Sequence, residues 1–396
     1  MATPSLLESR ALLLKELLQR NGWQGILLNR IDNFAMATGG ARNYVSTQAD
    51  LGACGIFIQE DGTLHCAGNS IESTRVMDEE LASPTCMANP FLWFEDSPAS
   101  WCRKNFEGTL VSDDGSLGEN VDGALAGLRS ILLPEESENY RRLGVDGASA
   151  MEATLRSIEV GTSETEISAR LIYEGQRRGC RVSVSLVAAD DRIARYRHPL
   201  PTLPGSPHEQ HVKRYVMVVG GIQRDGLVLS LTRFKAVDTL PEGVADAYRR
   251  ICAVDVRMQQ ATRPDQHLGD VFTACQRAYT EFGFQENEWH NHHQGGSTGY
   301  AGRTSKGQPG STFPCLDPEW ATIVRQKLGA DTTVSSAFAW NPSAPGVKSE
   351  DTFLLHDNGQ QEIISQTPGL SPMDLTTTLG EETDVIKASM ATPDFR

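Results

Sequence analysis

The sequence has little positive charge and shows no cysteine motif. Its 36 Lys and Arg residues face 51 Asp and Glu residues, which gives a formal net charge of -15 at pH 7. A surface of that sign repels nucleic acid and anionic lipid. The eight cysteines are scattered and form no CxxC pair, so zinc or redox chemistry through cysteine is not indicated. We therefore expect buried thiols and a small-molecule substrate, with no nucleic acid as partner.

Long apolar runs are also missing. No stretch is long enough to cross a bilayer, and the chain opens with the polar "MATPSLLESR" where a signal peptide would be basic and then apolar. We expect a cytoplasmic protein without a membrane partner. The composition is otherwise that of a globular protein, and 396 residues suffice for two or three domains.

Alternating helix and strand signals predict an α/β (α+β) fold in two domains. Ser5 and Glu8 have the spacing of a capping box in front of a leucine-rich helix. Short apolar runs split by turn-rich segments follow, so residues 1–133 are predicted to form an α/β domain. Pro134 and the acidic residues after it begin a long helical pattern, and residues 134–396 are assigned to a second domain.

Two tight hairpins are predicted in the second domain. Asp225-Gly226 separates two strand-like runs, and Asn358-Gly359 does the same near the end of the domain. Both dipeptides favour the two-residue turns that join antiparallel strands. Between the hairpins, the periodicity predicts helices over 241–262 and 268–282.

The stretch "HNHHQGG" places His290, His292 and His293 within four residues. Neutral imidazoles are common metal ligands, but this run lacks the full ligand set of a zinc signature. On this fragment alone, a metal site and a metal-free role both stay open.

A fourth histidine, His198, follows three arginines in "RIARYRHPLPT". Neighbouring cations disfavour the protonated imidazole, so His198 is a candidate neutral general base near pH 7. The alternative is that the arginines only pair with carboxylates of this acidic protein. A further candidate is Glu350, which with Asp351 follows Lys348; adjacent carboxylates on a strand point to opposite faces, so at most one faces a pocket.

Three blocks in fixed order resemble the pita-bread family of methionine aminopeptidase, aminopeptidase P, prolidase and creatinase. They are "RYVMVVGGIQRDGLVLSLTRF", "HHQGGSTGYAGR" and "AFAWNPSAPGVKSEDT". The resemblance covers nearly the whole chain and implies an N-terminal creatinase-like α/β domain before a C-terminal pita-bread catalytic domain.

The metallopeptidases of that family hold two metal ions with Asp, Asp, His, Glu and Glu. On this sequence those positions fall on Val219, Ser230, His293, Asn341 and Glu350. Only two ligands remain, and hard divalent cations need several oxygen donors. The resemblance therefore implies that the dinuclear metal site is lost, and we expect no metal and no other cofactor.

Among the members of the family, the chain most resembles creatinase in its expected mechanism, because creatinase works without a metal. The resemblance implies a homodimer that cleaves a carbon–nitrogen bond, with His198 as acid and base and His293 and Glu350 as further catalytic residues. It also makes Tyr300 an oxyanion donor, and Arg303 and Arg42 clamps for a substrate carboxylate. The other substrate contacts assigned to the pocket are Arg197, Ser230 and Asn341.

The sequence thus favours a metal-independent, creatinase-like hydrolase that acts on a small amino-acid-like or amidine-like substrate. Asn341 replaces a carboxylate that would hold a guanidinium, so creatine itself is not the expected substrate. Three alternatives stay open: an Xaa-Pro aminopeptidase or prolidase with unusual ligands, a metal-free lyase, and a catalytically inactive peptide-binding protein.

Overall fold

The computed structural model describes residues 5–81, 83–300, 302 and 305–395. They fold into two compact units. The first contains residues 1–136, 225–227 and 317–334, and the second contains residues 137–224, 228–316 and 335–396. No helix among the described residues is long and apolar enough to cross a membrane.

The helices, in chain order, are α1 (Leu6–Asn21), α2 (Ile31–Thr38), α3 (Ser73–Arg75), α4 (Pro98–Asn105), α5 (Asp122–Ser130), α6 (Pro134–Arg156), α7 (Glu164–Gln176), α8 (Asp191–Arg195), α9 (Val244–Ala261), α10 (Leu268–Glu281), α11 (Pro318–Leu328) and α12 (Thr376–Leu379). A π-helical turn covers Val76–Leu81, and a 3-10 helix covers Glu288–Asn291.

The strands are β1 (Gly25–Arg30), β2 (Leu51–Gln59), β3 (Leu64–Asn69), β4 (Cys86–Phe91), β5 (Leu110–Ser112), β6 (Arg181–Ala189), β7 (Tyr215–Arg224), β8 (Leu227–Ala236), β9 (Gly295–Ser297), β10 (Ser335–Trp340), β11 (Ser343–Ala344), β12 (Val347–Lys348), β13 (Asp351–His356) and β14 (Gln361–Ile363).

The first unit is built on a five-stranded sheet with the order β4-β3-β2-β1-β5. β1 pairs antiparallel with β2 and parallel with β5. The predicted capping box is present at α1: the Glu8 amide donates to Ser5 Oγ, and the Ser5 amide donates to the Glu8 carboxylate. The buried face of α1 is leucine-rich, so its burial supplies the apolar free energy that holds the helix on the domain.

The second unit contains a sheet of β6, β7 and β8, a sheet with the order β14-β13-β10-β9, and the short pair β11-β12. The Asp225-Gly226 turn forms as predicted: both residues have positive φ, 52° and 77°, as this hairpin turn requires. The predicted helices correspond to α9 and α10, and the second hairpin joins β13 to β14. A core cluster around α9, α10, β10 and β13 supports these sheets from behind.

Candidate active site

Three histidines from two distant parts of the second unit converge. His198 Nε2 lies 3.0 Å from His292 Nε2, so these rings share a hydrogen bond. The rings of His292 and His293 stack with centroids 4.4 Å apart, and those of His198 and His293 are 5.3 Å apart. One nitrogen from each ring lies within 4.8 Å of the others. We call these three residues the histidine cluster.

Burial differs across the histidine cluster and sets the charge of His292. His292 is buried, His293 is half-buried and His198 is exposed. Burial is the largest of the causes that lower the pKa of His292 to about 2, and the positive charge of Lys348 acts in the same direction. His292 is therefore neutral at physiological pH, and its shared hydrogen bond with His198 is one between an imidazole N–H and an acceptor nitrogen.

The Gly-Gly pair and Gln294 explain how the chain places His292 and His293. β9 runs so close to β10 that a Cβ on Gly295 would lie 2.2 Å from the Ala339 carbonyl oxygen. Gln294 Nε2 donates to the His292 carbonyl at 2.6 Å, and Gln294 Oε1 lies 3.0 Å from the Tyr279 hydroxyl. The loop that carries the two histidines is thus fixed by buried hydrogen bonds, which favours a single ring arrangement.

The segment that carries His198 is fixed by two ion pairs. Arg197 pairs with Glu288, which begins the 3-10 helix in front of His292. Arg192 pairs with the fully buried Glu164, whose carboxylate also accepts the Thr202 amide at 3.0 Å. Pairing of these arginines with carboxylates is the alternative considered above, and the Arg197–Glu288 pair also joins the two histidine-bearing segments.

A buried carboxylate and a buried ammonium lie next to the histidine cluster. Lys348 Nζ is 3.2 Å from Glu350 Oε2, and both side chains are buried. Thr232 Oγ1 donates to the same carboxylate oxygen at 2.6 Å. The charges of Lys348 and Glu350 both act on the pKa of His292, in opposite directions, so the pair lies within electrostatic range of that ring.

At the two hairpin positions where the family's two-metal centre has aspartate ligands, this chain has a hydrophobic residue and a hydroxyl. Val219 on β7 and Ser230 on β8 are both buried. The Ser230 amide donates to Thr352 Oγ1 at 2.9 Å, and that hydroxyl donates back to the Ser230 carbonyl at 2.8 Å. Because Glu350 is already paired with Lys348, these residues do not fit a two-metal centre of the Asp-Asp-His-Glu-Glu type.

Asn341, the fourth of those positions, is fully buried after the end of β10. Its amide N–H donates to the Gln294 carbonyl at 3.1 Å, which holds it beside the loop of His292 and His293. Among the described residues, neither Oδ1 nor Nδ2 of Asn341 has a hydrogen-bond partner. A buried carboxamide in that state costs stability, about 1–3 kcal/mol, unless a ligand completes its hydrogen bonds.

The remaining predicted residues lie in different places. Tyr300 is buried shortly after β9. Arg42 belongs to the first unit, where its guanidinium lies 2.7 Å from the Glu80 carboxylate. Arg303 lies outside the described residues. Arg197 is engaged by Glu288, and burial lowers its pKa.

Two members of this site were not predicted from the sequence as functional residues. His292 received no individual role from the sequence, yet it is the buried centre of the histidine cluster. Its adjacency to His293 was a signal, but neighbouring side chains in an irregular loop have no fixed relative direction. Lys348 was recognised only as a neighbour of Glu350, and their buried pairing depends on the β11-β12 turn. His290 is exposed and packs edge-on against Trp289.

The fold is that of solved pita-bread structures, so the predicted α/β architecture with a pita-bread domain is confirmed. No family model matches the sequence. No curated protein matches it either. The likeness is to solved structures and shows the shared fold.

The chain is similar to a dipeptidase from Pyrococcus horikoshii OT3, with a TM-score of 0.69 and 17% identity over 90% of this chain and 98% of that one. A prolidase from Thermococcus sibiricus has a TM-score of 0.70 and 16% identity over 92% of this chain and 98% of that one. An X-Pro aminopeptidase from Thermotoga maritima MSB8 has a TM-score of 0.66 and 15% identity over 90% of this chain and 97% of that one.

Proposed function

We propose that this protein is a hydrolase that cleaves a carbon–nitrogen bond in a small amino-acid-like or amidine-like substrate by histidine acid–base catalysis, without a metal. The observation that carries the proposal is the histidine cluster, which lies within electrostatic range of the Lys348–Glu350 pair. Titratable groups that perturb one another in this way gather at functional sites. The structures of similar fold named above are peptidases, which also break a carbon–nitrogen bond.

Hydrolysis requires a base for water and an acid for the leaving nitrogen. His198 is exposed, so it can meet substrate, and its Nε2 shares a hydrogen bond with the neutral His292. In the proposed step, His198 takes a proton from water as the oxygen adds to the substrate carbon. The carbon–nitrogen bond then breaks, and the same proton passes to the nitrogen, which leaves as a neutral amine.

Metal independence is supported by the donor set. Val219 cannot coordinate, and Ser230 and Asn341 offer neutral atoms where a dinuclear site needs carboxylates. Without a metal, the charge that develops on the substrate oxygen needs hydrogen-bond donors. We assign this role to Tyr300, and we keep His293 and Glu350 as the residues that orient the substrate.

Asn341 is the proposed reader of the substrate. Its buried amide presents one acceptor and one donor group, which matches a peptide, urea or amidine edge better than a simple cation. Ser230 lies at a neighbouring family position and Arg197 next to His198, and we keep both as substrate contacts. Arg303 and Arg42 remain proposed clamps for a carboxylate, and a cytoplasmic homodimer remains the proposed state of the protein.

The test begins with a ligand screen, because a compound that binds only the folded chain raises its melting temperature. Amino acids, amidines, N-carbamoyl compounds and Xaa-Pro dipeptides are the panel, and each hit is assayed for release of an amine. Wild type is compared with His198→Ala and with His208→Ala, an exposed histidine in the same segment.

We expect turnover in wild type and His208→Ala and a loss of about 100-fold or more in His198→Ala. Unchanged turnover in His198→Ala would refute its role. Hits that bind tightly and are never cleaved would support a peptide-binding protein instead.

A further inference from the structure

We propose that His198, His292 and His293 form a binding site for one divalent transition-metal ion, with Zn²⁺ as the class of ion that fits best. The site differs from the dinuclear carboxylate centre of the family. The two share His293, and the other ligands of this site, His198 and His292, are not ligand positions of that centre. The inference goes beyond the proposed function, which uses His198 for proton transfer.

The geometry is close to that of a three-histidine site. Zn²⁺ bound by imidazoles at about 2.0–2.1 Å sets its ligand nitrogens about 3.3 Å apart. The Nε2 atoms of His198 and His292 are 3.0 Å apart, and the whole set lies within 4.8 Å. The widest pair is therefore at most about 1.5 Å beyond the ideal spacing, and the rings have to move together by that amount when an ion binds.

His292 supplies the buried ligand. The residue is 8% exposed, and its Nε2 faces the Nε2 of His198. Coordination through Nε2 of His292 leaves Nδ1 as the N–H of the ring, so it also sets the tautomer.

The chemistry of the cluster selects the type of ion. Three neutral imidazoles suit Zn²⁺ and its transition-metal neighbours, whereas Mg²⁺ and Ca²⁺ require oxygen donors. The two nearby charges act in opposite directions on His292, with Lys348 disfavouring a cation there and Glu350 favouring it. Lys348 has the larger effect, and Glu350, which pairs with Lys348 at 3.2 Å, offsets part of it, so the ion has to bind against a net positive field.

The site also has an open side. His198 is exposed while His292 is buried, so the ion would have protein on one face and solvent on the other. Three protein ligands and one free position are the pattern of zinc sites that bind water or a substrate atom. An ion in this position would bind a ring nitrogen of His198, the proposed base, so we expect it to inhibit the metal-independent reaction.

The experiment uses the full chain made without a polyhistidine tag and stripped with a chelator. Co²⁺ is titrated while visible absorption bands are recorded, and bound zinc is measured after desalting. Wild type is compared with His292→Gln and His198→Gln. The matched control is His290→Gln, an exposed histidine of the same run that lies outside the cluster. Circular dichroism and thermal unfolding check the fold of each variant.

We expect one ion per chain in wild type and His290→Gln, and an affinity at least about 10-fold lower in His198→Gln and His292→Gln. His198 is exposed, so its variant tests the site even where His292→Gln fails to fold. Absence of bound metal in wild type, or equal affinity in wild type and His198→Gln, would overturn the proposal.

Turnover measured on the same samples separates the two proposals. A stripped enzyme that keeps its activity and is inhibited by Zn²⁺ supports both. Activity that is lost on stripping and restored by Zn²⁺ would overturn metal-independent catalysis while supporting the ion site. A stripped enzyme that is active but binds neither Co²⁺ nor Zn²⁺ when they are added would overturn the ion site alone.

Discussion

Replacing Lys387 by Met should unfold the second unit at markedly lower temperature. Lys387 is 1% exposed, and its Nζ lies 2.6 Å from Asp255 Oδ2 and 3.4 Å from Asp351 Oδ2. Burial alone would lower the pKa of Lys387, but the two carboxylates outweigh it and raise the pKa. The ammonium therefore remains charged and balances the cluster, in which Asp351 also pairs with Arg233 at 2.6 Å.

The magnitude follows from the charge that remains. Without Lys387, Asp255 and Asp351 face Arg233 alone, so one buried negative charge lacks its counter-ion. Removal of one partner from a buried ion pair costs about 3–5 kcal/mol. At about 2–4 °C per kcal/mol, the melting temperature should fall by about 6–20 °C.

The assay is thermal and urea unfolding of Lys387→Met beside Lys213→Met, a control at an exposed lysine. Burial raises the pKa of Asp255, and the loss of Lys387 would raise it further. A carboxyl group whose pKa is higher in the folded than in the unfolded chain destabilises the fold as the pH rises through that range. The stability deficit of Lys387→Met relative to wild type should therefore be larger at pH 8 than at pH 5. A loss below about 1 kcal/mol, or one independent of pH, would refute the charge-balance reasoning.

Three further predictions concern the candidate site. Chelator treatment should leave turnover on any substrate from the panel within about twofold, measured by amine release, and a complete loss would contradict metal independence. Because the pKa of His292 is lowered to about 2, the unfolded chain binds a proton there below its ordinary value of 6.5 and the folded chain does not. Stability should therefore fall by up to about 1.4 kcal/mol per pH unit below that value, and His292→Gln should lose less between pH 7 and pH 5 in urea unfolding. Asn341→Leu should raise the unfolding free energy by about 1–3 kcal/mol while abolishing substrate binding, and a stability loss would show that the amide has a partner in the folded chain.

Local chemistry made part of the fold predictable. The capping box of Ser5 and Glu8 and the Asp225-Gly226 turn depend on residues within a few positions of each other, and both form. The order of motif blocks supplied the architecture, which no single element could give. The ligand losses at Val219 and Ser230 were also readable, because they are questions of residue type.

The histidine cluster was not predictable in the same way. His198 and His292 are 94 residues apart, and their contact requires the Arg197–Glu288 pair as well as the close approach of β9 to β10. None of these contacts follows from spacing along the chain. Sequence reasoning could therefore name His198 and His293 as candidates but could not show that a buried third ring joins them.

The neighbouring carboxylates Glu350 and Asp351 belong to two different groups of buried charged side chains. Glu350 turns to Lys348 and Thr232 near the histidine cluster, while Asp351 turns to Arg233 and Lys387 in the buried charge cluster. The prediction placed both carboxylates on one strand, whereas Glu350 directly precedes β13 and Asp351 is its first residue, so their different partners do not follow from strand alternation alone. Because the two residues are adjacent in the chain, a shift of Asp351 caused by the loss of the Lys387 charge would displace Glu350 as well. Lys387→Met should then weaken substrate binding even under conditions where the chain stays folded, and a variant that is less stable but binds its substrate normally would show that the positions of Asp351 and Glu350 are independent.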